Sequence, residues 1–255
     1  MNHAATCNLP DQATDIVAAL KLVIADFDMR PTMVVTGKGG QRFAFFPTAL
    51  TDNIPPLTHA LAQAVCLLAR LHIAHHQQAT LGVGEEDRGA MIVADILAQY
   101  RLPRTLARWS PSGVPGEVAV GLANEYIEEG STQVYLNGVR PGDRVLIVDD
   151  LISTGGTLCA LIEAVRLAGG EILEIFTVGE KTENDGRRYL REQSGLSVKT
   201  LIASTMEQIG EVLYSRVTHV NLGRIDAGVL AQVAQHFPPG FCRAGFGDDI
   251  SGAHA

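Results

Sequence analysis

Apolar residues follow two spacings along this chain, one helical and one alternating. Ile16, Leu20, Ile24 and Phe27 fall on one side of a helix over Asp15 to Phe27. Thr32 to Thr36 and Arg42 to Phe46 read as short strands, with Gly37-Lys38-Gly39-Gly40 as the hairpin turn between them. Pro55-Pro56 breaks the chain. Leu61, Ala64, Val65, Leu68 and Leu71 then mark an amphipathic helix over Leu57 to Ala74. Thr80 to Val83 reads as a buried strand, Ala90 to Tyr100 as a helix, and Thr105 to Arg108 as another strand. Ser110 to Gly130 is polar and holds Pro111, Gly113, Pro115 and Gly116, so a long functional loop is predicted. Asn137-Gly138 and Pro141-Gly142 are turns. Arg144 to Val148 is a strand ending in Asp149-Asp150. Leu158 to Ala168 is a helix closed by Gly169-Gly170, and Ile172 to Val178 is a buried strand. Beyond Ser197 the pattern weakens: Ser197 to Ala203 and Val217 to Leu222 read as strands, and the tail from Phe237 as irregular.

Strands alternating with helices predict an α/β fold, an open and mostly parallel sheet flanked by helices. The pattern divides the chain into an N-terminal helix and hairpin (1–56), a core (57–196) and a C-terminal extension (197–255).

The formal net charge is -8, which argues against a nucleic-acid partner. It leaves a phosphate ligand open, because backbone N–H groups hold phosphates without a basic surface. No window approaches the roughly 18 apolar residues of a membrane span. The N-terminus has no basic start of a signal peptide, and Cys7, Cys66, Cys159 and Cys242 show no metal-ligand spacing. A cytoplasmic protein with reduced thiols is expected.

The most informative run is Val145 to Thr157, a strand, then Asp-Asp, then Ser-Thr-Gly-Gly-Thr, then a helix. Such a strand delivers its loop to the carboxyl edge of the sheet, where open α/β folds bind ligands. Ser153, Thr154 and Thr157 offer hydroxyl donors, while Gly155 and Gly156 let the main chain approach an anion. The first N–H groups of the following helix lack intrahelical partners, so the loop suits a phosphate monoester. Asp149 and Asp150 would repel that phosphate unless they accept hydrogen bonds from sugar hydroxyls or face a cation. A ribose 5-phosphate satisfies both halves. The run is neither a Walker A loop nor Gly-x-Gly-x-x-Gly. An ordinary strand–turn–helix would need six polar or glycine positions to coincide after a buried strand.

The thirteen-residue run resembles the 5-phosphoribosyl-1-pyrophosphate (PRPP) signature of type I phosphoribosyltransferases, closest to the adenine phosphoribosyltransferase branch. The resemblance spans roughly Phe43 to Leu190. It implies that Asp149 and Asp150 hold the ribose 2′- and 3′-hydroxyls and that Ser153, Thr154, Gly155, Gly156 and Thr157 wrap the 5′-phosphate. Glu86, Arg88 and Gly89 match the family's pyrophosphate loop, with Asp87 where Ala or Ser is usual. Asp87 as a helix N-cap is the structural alternative there. Arg108 stands where the family often points a basic residue at pyrophosphate, but Trp109 follows instead of a lysine. No lysine occurs in Ser110 to Gly130, the counterpart of the family's catalytic loop. Glu125-Tyr126 resembles a pair whose glutamate handles a proton at the base; a solvated Glu125 beside Glu128 and Glu129 fits the same residues.

In this branch an N-terminal hood reads the base, and residues 1–56 are expected to form it here, although the first forty residues are not matched by the resemblance. Aligning Pro47 with the hood's proline puts Phe43-Ala44 where Arg-Asp is usual, so a base other than adenine is suggested. Phe43, Phe45 and Leu151 are the candidate base contacts, although alternate phenylalanines also suit a strand's core face. Glu180 to Leu190 is similar to the family's segment after the last core strand. The expectation is an Mg²⁺-dependent homodimer moving 5-phosphoribosyl from PRPP to a purine or similar nucleobase, with Asp150, Glu125 and Arg88 catalytic. Asp149 and Asp150 would meet Mg²⁺ indirectly, through ribose hydroxyls or water. An enzyme ribosylating an unusual heterocycle and a non-catalytic PRPP-binding regulator remain the alternatives.

Overall fold

A computed structural model describes residues 13–36, 42–122 and 133–247. In chain order the helices and strands are α1 (Ala13–Phe27), β1 (Met33–Thr36), β2 (Arg42–Phe45), α2 (His59–Ala69), β3 (Leu81–Glu85), α3 (Ala90–Ala98), β4 (Arg104–Ala107), β5 (Val118–Gly121), β6 (Gln133–Leu136), β7 (Arg144–Ile152), α4 (Gly156–Leu167), β8 (Glu171–Lys181), α5 (Gly186–Ser194), β9 (Lys199–Ile209), β10 (Val212–Asn221), α6 (Ala227–Ala234) and β11 (Cys242–Arg243). Seven strands form one sheet in the order β11-β10-β9-β8-β7-β3-β4. Only the β9–β10 pair in it is antiparallel. The sheet is therefore open and mostly parallel, flanked by helices.

β7 is apolar throughout its first half because both its faces are covered. Leu146 and Val148 join a core built with α1, α2 and α3, while Val145 and Ile147 join a second core with α4 and the β5–β6 hairpin. The winding direction reverses between β3 and β7, the position at which open sheets bind ligands beyond their carboxyl ends.

Long-range contacts move several boundaries away from the sequence prediction. The helix expected over Leu57 to Ala74 spans only His59–Ala69, with Thr58 as its N-cap. Beyond it the backbone bonds to distant partners and no helix continues to Ala74: the Leu71 carbonyl accepts from Arg224 N at 2.8 Å, and Ala74 N and His75 N donate to the Glu174 carboxylate. The strand expected to end at Val148 runs on through Asp149 and Asp150 to Ile152, pairing with β8. Strand β9 pairs with β8 across the expected division at 196/197, so the C-terminal region continues the core sheet. The N-terminal hairpin is tied to that same region. Thr32 N donates to Leu213 O at 2.8 Å, and Met29 N donates to Ser215 O at 2.8 Å. The expected hairpin turn, Gly37 to Gly40, lies outside the described residues, but its flanking strands pair as predicted, Met33 opposite Phe45.

Candidate active site

The carboxyl ends of β3, β7 and β8 surround a cavity of about 260 Å³ at the switch point. Asp149, Asp150, Leu151, Ser153 and Thr157 line it from β7 and its loop, Asp87 and Arg88 from the loop after β3, and Phe45 from the hairpin. Eight residues singled out in the sequence thus converge, although they lie more than a hundred positions apart in the chain.

The loop Ser153 to Gly155 turns the chain from β7 into α4. Gly155 takes the left-handed conformation at φ +86°, which glycine adopts without strain. No side chain caps α4, so its first N–H groups are available to a ligand. Thr154, Gly155 and Gly156 contribute main chain here and are absent from the cavity wall.

Asp149 and Asp150 are 4% and 6% exposed. Burial raises Asp149 well above the ordinary carboxylate range, and the neighbouring Asp150 and Glu85 add to the rise. Burial, then Glu85, pushes Asp150 up to about 7. Glu85 is itself raised by burial, which hydrogen bonds from Asp87 N at 3.0 Å and Trp109 Nε1 at 2.7 Å partly oppose. Three acidic groups therefore crowd one wall, a disposition relieved by hydroxyl donors or a cation. Gly89 makes the crowding possible: a methyl group on it would lie 2.3 Å from Asp150 Cβ.

Arg88 is half-exposed, 3.4 Å from Asp52 and 4.8 Å above the Phe45 ring. Asp87 caps no helix; the N-cap of α3 is Gly89 and makes no side-chain bond. Glu86 and Arg108 sit beside the cavity, 3.6 Å apart in a half-exposed pair, and Glu86 also accepts from Trp109 N at 2.9 Å. Glu125 lies outside the described residues. Phe43 is in β2, two positions from Phe45.

Three contributors were not foreseen. Glu85 precedes the matched loop residues Glu86, Arg88 and Gly89 and carries no expectation of its own, although it stands at a strand end. Trp109 was read as a missing lysine, yet it forms cavity wall and bonds to Glu85. Lys181 ends β8 inside the family-like segment Glu180 to Leu190, where the resemblance assigns it no role. It is 6% exposed, lines the cavity, and its ammonium lies 5.0 Å above the Phe46 ring, with burial pulling its pKa down. Among the described residues no cluster of three His, Cys, Asp or Glu side chains is arranged to hold a metal. No described helix is long and apolar enough to cross a membrane.

An acid pair, a glycine-rich loop at a helix start and an arginine gathered at a switch point suit a phosphorylated sugar. The phosphoribosyl transferase domain model matches residues 83–207. Over 160 residues the chain is 33% identical to the hypoxanthine/guanine phosphoribosyltransferase of Methanocaldococcus jannaschii, covering 63% of this chain and 84% of that one. It is 43% identical over 160 residues to the protein of that name from Methanothermobacter thermautotrophicus, covering 63% and 79%. The crystal structure of adenine phosphoribosyltransferase from Rhodothermus marinus superposes with a TM-score of 0.53 at 25% identity, covering 74% of this chain and 98% of that one. The Trypanosoma brucei adenine enzyme shares the fold, with a TM-score of 0.56 at 19% identity over 72% of this chain and 79% of that one. The chain belongs to the type I phosphoribosyltransferases.

Proposed function

We propose that this phosphoribosyltransferase moves 5-phosphoribosyl from PRPP to a 6-oxopurine, hypoxanthine or guanine, and releases pyrophosphate. Lys181 is the observation that carries the choice of base. A buried ammonium offers donors only, so it matches the carbonyl acceptor at C6 of hypoxanthine and guanine. Adenine would present an amino donor to that same group and leave a buried polar pair unsatisfied. The curated relatives bear the hypoxanthine/guanine name, whereas the structural neighbours bear the adenine name. The shared fold does not distinguish the bases.

In this mechanism Asp149 and Asp150 accept hydrogen bonds from the ribose hydroxyls, and the loop after β7 holds the 5′-phosphate. The bond from C1′ to pyrophosphate breaks as a ring nitrogen of the base bonds C1′. Arg88 and the turn after β3 stabilise the departing pyrophosphate. The base gives up its proton, the role the family resemblance gives Glu125. The crowded carboxylates fit Mg²⁺ held mostly by substrate oxygens and water, which would neutralise charge on the pyrophosphate. A cytoplasmic homodimer is part of the proposal, and sedimentation tests the dimer.

Pyrophosphate release measured across hypoxanthine, guanine, xanthine and adenine decides the base. Hypoxanthine or guanine should exceed adenine in kcat/KM by roughly a hundredfold or more, the discrimination an unpaired buried polar group produces. Lys181→Met should erase most of that preference. A parent enzyme that prefers adenine would overturn the assignment.

A further inference from the structure

The segment Glu180 to Leu190 has so far been given a resemblance and no role. In the structure it forms the back of the phosphate loop. A single 3₁₀ turn, Thr182 to Asn184, follows β8 and leads into α5. Asn184 Nδ2 donates to Ser153 Oγ at 2.7 Å. Gly186 stands so close behind that a methyl on it would be 2.1 Å from Ser153 O, and one on Gly155 would be 2.7 Å from Gly186 O. The two stretches of main chain interlock through these glycines. Arg187 secures the other side of the segment, 3.5 Å from Glu180 and donating to the carbonyls of Gly247 and Val198.

A serine hydroxyl has one proton and two lone pairs. When Asn184 fills a lone pair, the hydroxyl proton is left to point away from Asn184. Ser153 lines the cavity, so that proton can be donated to an anion there. Accepting one hydrogen bond also strengthens the bond that the hydroxyl donates. An amide does not titrate, so the arrangement holds across the pH range.

We infer that Asn184 is a positioning residue for PRPP, orienting the Ser153 hydroxyl as a donor to the 5′-phosphate. The inference rests on the reading of Ser153 to Thr157 as the 5′-phosphate loop.

The test is a double-mutant cycle on the full chain with Ser153→Ala and Asn184→Ala, and Asn184→Asp as the isosteric variant. PRPP affinity is read from the fluorescence of Trp109, the single tryptophan, which lines the cavity. Steady-state KM values for PRPP and base are measured alongside, with melting temperatures to confirm folding. Loss of a hydrogen bond to a charged group predicts roughly tenfold weaker PRPP binding for Asn184→Ala. Base KM and kcat should stay within about twofold, because the sugar and base contacts are untouched. Asn184→Asp should bind PRPP more weakly still, since its carboxylate draws the hydroxyl proton inward. In the Ser153→Ala background, Asn184→Ala should add almost nothing. A full additional loss there, or unchanged PRPP affinity in Asn184→Ala and Asn184→Asp, overturns the inference while the phosphate-loop reading stands. If Ser153→Ala itself binds PRPP normally, the phosphate-loop reading fails instead.

Discussion

Asp149 and Asp150 sit where burial and neighbouring carboxylates oppose ionisation more than Arg88 and backbone N–H groups favour it. The Asp150 carboxyl titrates at about 7 in the fold against 3.8 for an unperturbed side chain. The native state therefore holds this proton more tightly than the unfolded chain does. Its contribution to stability is full below pH 3.8 and is lost as pH rises through about 7. Asp150→Asn, which mimics the protonated form, should raise the Tm of the ligand-free protein by several degrees at pH 8. The gain should vanish towards pH 4. The same variant should cut turnover by orders of magnitude if Asp150 holds the ribose as proposed. Melting curves against pH and a pyrophosphate-release assay check the two halves. Parent-like turnover would refute the ribose role, and an unchanged Tm at pH 8 would refute the crowding. The acid pair itself was legible from the sequence. Its ionisation was not, because that depends on Glu85, sixty-odd positions earlier, and on burial by neighbouring elements.

At the scale of elements, α4 shows how one helix separates function from stability. Its N-terminus lies at the loop proposed to hold the 5′-phosphate, and its C-terminus closes with Gly170 N donating to Val165 O at 2.9 Å and Gly169 N to Arg166 O at 3.0 Å. This paired closure requires a left-handed residue, and Gly169 has φ +84°. An added methyl would also sit 3.0 Å from Pro141 Cα. Gly169→Ala should therefore lower stability by about 1–2 kcal/mol, a drop in Tm of a few degrees. Its KM for PRPP should match the parent's, since the change lies at the far end of the helix. A weakened PRPP KM at unchanged Tm would contradict this division. Gly169-Gly170 was readable because a helix C-cap is a local device. The end of α2 was not, because the residues after it bond to distant parts of the chain, the Leu71 carbonyl to Arg224 N and His75 N to Glu174.

Over the whole molecule, the two ends of the chain build one structure with its middle. Leu201, Ile202, Val217, Val220 and Leu222 belong to the same buried core as α1 and α2. Ser215 Oγ donates to Phe27 O at 2.6 Å, and Phe27 in turn lies edge-on to Phe46 of the cavity wall. Truncation after residue 196 would strip β9 to β11 from the sheet, expose the edge of β8 and unseat the hairpin. The fragment 1–196 should aggregate instead of folding. A monodisperse fragment with cooperative melting and PRPP binding would show that the core is independent after all.

The sequence alone determined the α/β class, most of the core helices and strands, and the residues proposed for the sugar-phosphate half of the site, but not the β5–β6 hairpin, whose first strand falls in the expected loop Ser110 to Gly130, nor α5 and α6. Those features are written in short contiguous runs, where periodicity and turn chemistry act between near neighbours. Tertiary structure decided which charges are buried together, where β7 ends, and that Glu85, Trp109 and Lys181 share the cavity with the acid pair. Each of these depends on strands brought side by side from distant parts of the chain, and pairing across a sheet leaves no local pattern to read. The base half of the site belongs to this second group: Lys181 becomes a candidate reader of the base only because β8 ends at the cavity, with Phe46 beneath its ammonium.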